Sequence, residues 1–276
     1  MTRISYQITK GVDIMLLNEE HEFLYDYSDV GIPETVTLSS YTSRMEKLRL
    51  SSDNLHQAMI KHILPQVIEP KIDVLKLFEP DYFLLLRHLR IITWGPFWTA
   101  QNWVCTDCLN DAGMKGKFYD EPRQINLNTV GVLRPEKDEE LKKSFEIKAK
   151  EFFHINADVK IHLNRCQDML FYTAKVRKGD EDFRSIAASI SSVSDMDFVD
   201  VSEAAEWLGD LPAVDQQIIE NRYKEEFNVG LQSRVEFTCP KCGGRAWAYV
   251  PINDYYFRPT KEDLDEWKSL LATSKK

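Results

Sequence analysis

The strongest structural signals of the chain lie between Glu79 and Cys108, in the sequence EPDYFLLLRHLRIITWGPFWTAQNWVCTDC. The first half of this stretch is apolar on nearly every side of a helix, which is typical of a helix in the centre of a core. Gly95-Pro96 is expected to end that helix. The β-prone residues that follow lead into a Cys-x-x-Cys pair. The stretch therefore predicts a buried helix, followed by a strand that carries a candidate metal-binding knuckle.

A second Cys-x-x-Cys pair occurs far along the chain, in Cys239-Pro-Lys-Cys242-Gly-Gly. β-prone runs flank this pair at residues 233–238 and 245–251. The two glycines suit a tight knuckle, because the chain must bend there at a place where a Cβ atom would clash. Strand, knuckle and strand in succession predict a small antiparallel element similar to a zinc ribbon.

Taken together, the two pairs predict a metal site. Two thiolates from each knuckle complete a closed tetrahedral site, the commonest structural arrangement for zinc. Residues 109–238, 130 in all, separate the pairs, which is far more than the usual ribbon spacing. The fold must therefore bring the knuckles together. The expected ligands of one structural zinc ion are Cys105, Cys108, Cys239 and Cys242.

Three other interpretations of the cysteines stay open. An iron–sulfur cluster uses the same four thiolates, and the spacing does not exclude it. A redox Cys-x-x-Cys belongs at the start of a helix in a thioredoxin-like unit, whereas Gly243-Gly244 and a β-prone run follow the second pair. Degenerate knuckles without a metal are the third interpretation. The fifth cysteine, Cys166, is expected to be a small buried residue.

The composition indicates a soluble globular protein and argues against several classes. The 276 residues carry 35 Lys and Arg against 44 Asp and Glu, which gives a net charge of −9. No uncharged apolar run reaches the roughly 18 residues of a membrane span, and residues 1–17 lack the apolar core of a signal peptide. A negative chain has no general attraction to phosphates, so nucleic-acid binding is not expected.

Hydrophobic periodicity predicts an α+β protein with a mainly helical body. The expected helices cover residues 55–64, 79–92, 135–153, 166–177, 182–192, 201–208, 214–227 and 260–272. Extended segments are expected at 35–38, 118–133 and 159–163, and the Ser-rich residues 189–194 are interpreted as a linker. The expected domain organisation is an N-terminal arm at 1–40, a helical core with the zinc-ribbon-like element at 41–110 and 230–259, a mixed α/β insertion at 111–229 and a C-terminal helix at 260–276.

Familiar catalytic motifs are absent from the sequence, which favours a protein that is not an enzyme. The P-loop, Gly-x-Gly-x-x-Gly, Gly-x-Ser-x-Gly and His-Glu-x-x-His patterns do not occur. Four cysteine ligands would also close the coordination position that a catalytic zinc keeps open. Arg87, His88 and Arg90 form either an anion clamp or a helix edge that contacts another element or subunit, and the second interpretation is preferred.

The order of these motifs resembles a known family. The motifs are the helix Asp81-Tyr-Phe-Leu-Leu-Leu-Arg-His-Leu-Arg90, the first knuckle, Leu211-Pro212, the run 235–243 and Tyr255-Tyr-Phe-Arg-Pro259. This arrangement is similar to the baseplate hub and hub-assembly proteins of T-even-like contractile-tail bacteriophages. The resemblance covers residues 35–110 and 205–260, and the chain departs from it in the N-terminal arm and in the length of the middle segment.

The resemblance implies a structural or assembly component of a phage tail baseplate. Such a protein would bind other baseplate subunits, is compatible with an oligomer, would reside in the virion tail and would be assembled in the host cytoplasm. No membrane partner is expected. The alternative from another class is a zinc-ribbon nucleic-acid-binding factor of the transcription or replication type, supported by Lys241, Arg245 and Trp247 beside the second knuckle.

Overall fold

The computed structural model describes residues 3–9, 12–52, 54–134, 141–173, 179, 183–194, 196–198 and 200–273. These residues form helices and antiparallel sheets, which confirms the predicted α+β class. The division into arm, core, insertion and C-terminal helix stays a prediction.

Antiparallel pairing builds the sheets. The strands are β1 (Arg3–Thr9), β2 (Val12–Glu22), β3 (Thr35–Ser39), β4 (Ile68–Glu69), β5 (Phe97–Ala100), β6 (Trp103–Leu109), β7 (Lys115–Tyr119), β8 (Arg123–Asn126), β9 (Val132–Leu133), β10 (Ser144–Ile147), β11 (Val159–His162), β12 (Ile190–Val193), β13 (Gly230–Leu231), β14 (Arg234–Thr238) and β15 (Arg245–Tyr249). Two sheets have four strands, in the orders β1-β2-β3-β4 and β14-β15-β6-β7. A third has the order β10-β11-β12, and β13 pairs with β9 and β5 with β8.

The helices include the buried one that the sequence predicts. In chain order they are α1 (Ser43–Leu50), α2 (Leu55–Ala58), α3 (Leu64–Val67), α4 (Glu79–Trp94), α5 (Cys166–Met169), α6 (Arg184–Ala187), α7 (Val201–Asp210), α8 (Ala213–Glu226) and α9 (Lys261–Thr273). A π-helical segment, Met59–Ile63, joins α2 to α3. Within the described residues, no helix combines the length and the apolar character that crossing a membrane requires.

Helix α4 lies at the centre of the core, as predicted. Its first turn carries Pro80 and two acidic residues, Glu79 and Asp81, which suit the free N–H groups and the positive end of a helix. It ends at Gly95, whose φ is +86°. A Cβ atom on Gly95 would lie 2.5 Å from the Trp267 ring of α9, so both the conformation and the close packing require glycine there.

Arg90 joins the end of α4 to two other parts of the chain. Its side chain is fully buried. The guanidinium donates hydrogen bonds to the carbonyl oxygens of Tyr256 (2.8 Å), Gly95 (2.6 Å) and Phe97 (2.8 Å). The sequence favours a helix edge that contacts another element over an anion clamp for Arg87, His88 and Arg90. The bonds of Arg90 fit that interpretation, because they join α4 to other elements of the same chain.

Asp81 fixes the segment after β2 to the same helix. Its buried carboxylate accepts hydrogen bonds from the backbone N–H groups of Leu24 (2.7 Å) and Tyr25 (3.2 Å) and from the Tyr27 hydroxyl (2.8 Å). Burial raises the pKa of Asp81 to about 6, although the hydrogen bonds act in the opposite direction. Residues 24–27 therefore form part of the packed body around α4.

The predicted helix at 135–153 is wrong over the part that the structure describes, residues 141–153. Residues Ser144–Ile147 form strand β10, and a 3₁₀ turn follows at Ala149–Glu151. Phe145 pairs with Ile161 of β11. Short apolar patterns fit both a helix and a strand, and the neighbouring strand β11 decides between them here. Residues 135–140 lie outside the described residues.

The predicted helix at 182–192 and the Ser-rich linker at 189–194 are corrected as well. Helix α6 is only one turn long, and Ile190–Val193 forms strand β12, which pairs with β11. The buried Ser189 hydroxyl donates a hydrogen bond to the Ile186 carbonyl at 2.6 Å. Serine is therefore tolerated there because its hydroxyl has a partner at the end of α6.

The remaining predicted helices differ in outcome. At residues 166–177, α5 gives way to a 3₁₀ turn, Leu170–Thr173, and residues 174–177 lie outside the described residues. The helices predicted at 201–208, 214–227 and 260–272 are confirmed as α7, α8 and α9.

Candidate metal centre

The four-stranded sheet β14-β15-β6-β7 brings the two cysteine pairs together. Cys105 and Cys108 lie on β6, and Cys239 and Cys242 lie in the turn between β14 and β15. Strand β15 pairs with β6 so that Ala246 is opposite Cys105. The chain leaves this sheet after β7 and returns to it at β14, so the long separation in sequence becomes a direct contact in space.

The four sulfur atoms form a compact group. The Cys105 and Cys242 sulfurs lie 3.6 Å apart, and the Cys108 and Cys239 sulfurs 3.8 Å apart. All four lie within 4.8 Å of one another. A disulfide would require about 2.05 Å, so these are free thiols. Their spacing allows one metal ion to contact all four.

Backbone N–H groups in both knuckles point at the sulfurs. The donor and acceptor pairs are Cys108 N–H to Cys105 Sγ (3.3 Å), Lys241 N–H to Cys239 Sγ (3.4 Å) and Gly244 N–H to Cys242 Sγ (3.4 Å). Hydrogen bonds of this kind favour the thiolate over the thiol, and the thiolate is the form that binds metals.

Burial and hydrogen bonding have opposite effects on these thiols. Burial raises the pKa of Cys105. At Cys239 burial acts in the same direction, but hydrogen bonds from the backbone N–H groups of Cys242 and Lys241 and from neighbouring thiols outweigh it and lower the pKa to about 7. Cys105 and Cys239 are buried, whereas Cys242 is exposed. The group therefore lies at the surface with one side closed by the sheet.

The two residues between the first pair of cysteines hold the knuckles against each other. Asp107 Oδ2 accepts a hydrogen bond from the Arg245 backbone N–H at 2.7 Å, and the Thr106 hydroxyl donates to the Arg245 carbonyl at 3.0 Å. Neither Thr106 nor Asp107 has a predicted role from the sequence. The only hint in the sequence is that both residues between Cys105 and Cys108 have hydrogen-bonding side chains. Such residues are too common in turns and strands to predict which partner they contact.

Gly244 is required by the position of Asp107. A Cβ atom on Gly244 would lie 2.4 Å from Asp107 Oδ2. We expect Gly244→Ala to lower the free energy of unfolding by about 2 kcal/mol, as typical overpacking does. In an Asp107→Gly background the same substitution should cost almost nothing, because the Asp107 Cβ atom and carboxylate, which lie 2.4–2.9 Å from the added Cβ, are both gone. Urea denaturation of the four proteins measures this coupling, and equal costs of Gly244→Ala in both backgrounds would contradict the contact.

Comparison with known proteins identifies the family. Residues 25–252 match the family described as T4 bacteriophage base plate protein. The match spans 228 of the 276 residues and includes all four cysteines. The chain belongs to this family. No curated protein and no solved structure matches the chain significantly.

The base plate family match covers the elements that carry the candidate site. It includes α4, both knuckles and the whole segment between them. The resemblance found in the sequence is thus confirmed for the T4-type base plate family. The match does not include β1 or α9.

Proposed function

We propose that this base plate protein is a structural or assembly component of the hub region, and that it acts through protein–protein contacts rather than by catalysis. The observation that carries the proposal is the family match over residues 25–252. Membership of a base plate family supports contacts with other tail subunits and a location in the virion tail. The proposed site of assembly is the host cytoplasm.

We also propose that Cys105, Cys108, Cys239 and Cys242 bind one structural zinc ion. A zinc–sulfur bond is about 2.3 Å long, so the edge of a regular tetrahedron of sulfurs around zinc is about 3.8 Å. The Cys105–Cys242 and Cys108–Cys239 sulfur separations of 3.6 Å and 3.8 Å agree with that edge, and the other sulfur pairs lie within 4.8 Å. An iron–sulfur cluster is less well supported, because several irons and sulfides would have to fit between thiolates this close together.

The physical role of the metal would be to hold together two distant parts of the chain. Metal binding to a folded site that is absent from the unfolded chain contributes directly to the free energy of folding. The zinc would connect β6 to the turn between β14 and β15, and so would close the loop formed by residues 109–238. This supports a structural role for the site.

The base plate role is tested on phage particles. We expect mass spectrometry of purified virions to find the chain in a fixed ratio to other base plate subunits if it is a structural component. If it is an assembly factor, it should be found on base plate intermediates and not on finished virions. Absence from both particles and intermediates, checked with a tail-sheath protein as the recovery control, would contradict the proposal.

The nucleic-acid-binding alternative has one structural observation in its favour. Tyr249 is exposed, and its ring packs edge-on against Trp247, with Arg234 stacked 4.8 Å from the Trp247 ring centre. Aromatic rings beside cations can stack on bases. The nearby cations have acidic neighbours, however, since Lys241 lies 3.4 Å from Glu121 and Arg234 lies 3.1 Å from Glu236. Salt-dependent retention on a nucleic-acid column would support this alternative.

A further inference from the structure

Strand β14 is an open edge of the four-stranded sheet β14-β15-β6-β7, which carries the four cysteines. The Val250 N–H donates to the Ser233 carbonyl at 2.7 Å, and the Cys239 N–H donates to the Gly244 carbonyl at 2.8 Å. Along an antiparallel ladder, residue pairs that exchange hydrogen bonds alternate with pairs that do not. Because Ser233 and Cys239 both bond to the β15 side, the odd-numbered residues of this segment are the ones that bond to β15. The backbone groups of Arg234, Glu236 and Thr238 therefore point away from the sheet. They have no hydrogen-bond partner among the described residues.

The opposite edge of the same sheet is protected, whereas β14 is not. Strand β7 carries Lys115 and Lys117, a glycine at φ +105° and a shift of register against β6. Lysines and irregular pairing are the usual devices that prevent edge strands from pairing with other chains. Strand β14 has neither lysine nor proline nor glycine, and its register with β15 is regular. This contrast indicates that the β14 edge is available for pairing.

Space for another strand lies beside β14. An open groove of about 820 Å³ runs along Ser233–Glu236, between this edge and the end of α8. The half-exposed apolar side chains of Leu133, Val229 and Leu231 line it. An added strand would lie about 4.8 Å from β14. The groove leaves that space open beside the first residues of β14.

The charges along β14 identify its partner. Arg234 and Glu236 are both exposed and lie on the same face of the sheet, on either side of Val235. A matching antiparallel strand needs an acidic residue opposite Arg234 and a basic residue opposite Glu236, because opposite charges across strands stabilise a sheet. Strand β14 meets this requirement itself. With a two-fold axis at Val235, each Arg234 is opposite Glu236 of the other copy.

We propose that the occupant of the β14 edge is β14 of a second copy of this chain. The two strands pair antiparallel around a two-fold axis at Val235, so that the sheets of both copies become one continuous sheet of eight strands. The interface has the same residues on both sides, as expected for a two-fold dimer. This inference concerns the isolated full-length chain and holds whether or not the protein resides in the hub.

The test uses charge reversal and sedimentation of the purified full-length chain. The wild type should dimerise in a concentration-dependent manner. Arg234→Glu alone and Glu236→Arg alone should each weaken dimerisation about thirtyfold, or about 2 kcal/mol, because both cross-strand pairs become pairs of like charge. An equimolar mixture of the two variants should form a heterodimer, since opposite charges then face each other again. Lys117→Glu, on the protected edge, is the matched control and should dimerise like the wild type.

The mixture also serves as the control for folding, because a misfolded variant would not be rescued by another variant. A wild type that stays monomeric over the whole concentration range would overturn the proposal. So would single variants that dimerise as well as the wild type, or a mixture that does not associate. None of these results depends on incorporation into virions, so they are independent of the test of the base plate role.

Discussion

The Cys239→Ser variant is expected to lose its zinc and to unfold at a markedly lower temperature than the wild-type chain. Serine removes one of four thiolates and leaves an incomplete site. Metal that binds only the folded chain stabilises it by about 4 kcal/mol when its free concentration is a thousand times the dissociation constant. Loss of tight zinc binding should remove a contribution of at least this size. The wild type should contain one zinc per chain.

The measurement combines metal analysis with thermal unfolding, each with and without a strong chelator. Chelation should lower the melting temperature of the wild type and leave that of Cys239→Ser unchanged. Acidification should release the metal in the same way, because protons compete for the thiolates. Cys166→Ala is the matched control, since Cys166 is buried away from the site and this variant should keep one zinc per chain. A wild type that contains no metal and melts at the same temperature with chelator would show that the zinc proposal is wrong.

The cysteine cluster could be predicted from the sequence because its chemistry is local. Each Cys-x-x-Cys pair is a short motif, and the β-prone runs beside it indicate the strands that carry it. The partner of each knuckle could be inferred because four thiolates make a complete tetrahedral site. The contact between Asp107 and the Arg245 backbone could not be inferred, because it depends on the register between β6 and β15.

The wrong secondary-structure predictions in the middle of the chain have a common physical cause. Residues 144–147 lie within the predicted helix at 135–153, and residues 190–193 lie where the predicted helix at 182–192 overlaps the predicted linker at 189–194, yet both segments form strands on either side of β11. Each is four residues long, so its pattern of apolar residues is too short to distinguish a helix from a strand. Pairing with β11 determines their conformation, and that contact is distant in sequence. The apolar helix α4 and the amphipathic helix α7 have stronger helical patterns of their own, and both are predicted correctly.

The Arg90→Met variant is expected to lower the free energy of unfolding by about 4 kcal/mol. Methionine keeps much of the apolar length of the side chain but removes the three hydrogen bonds to Tyr256, Gly95 and Phe97. A buried polar group without a partner costs about 1–3 kcal/mol, and three carbonyl oxygens lose their donor at once. Arg90→Lys should also destabilise strongly, because a single ammonium group cannot reproduce the planar fork of a guanidinium.

Arg87→Met is the matched control for the loss of an arginine from the same helix. Arg87 is half-buried, and within the described part of the chain it donates one hydrogen bond, to the Leu127 carbonyl at 3.0 Å. Its loss should therefore cost only about 1 kcal/mol. Urea denaturation measures both variants, and a cost for Arg90→Met no greater than that for Arg87→Met would contradict the structural role. Gly95 directly follows α4 and Phe97 is the first residue of β5, the strand that precedes the one with the first knuckle. Arg90→Met should therefore also weaken zinc binding, because the chain that positions Cys105 and Cys108 is no longer fixed to the core.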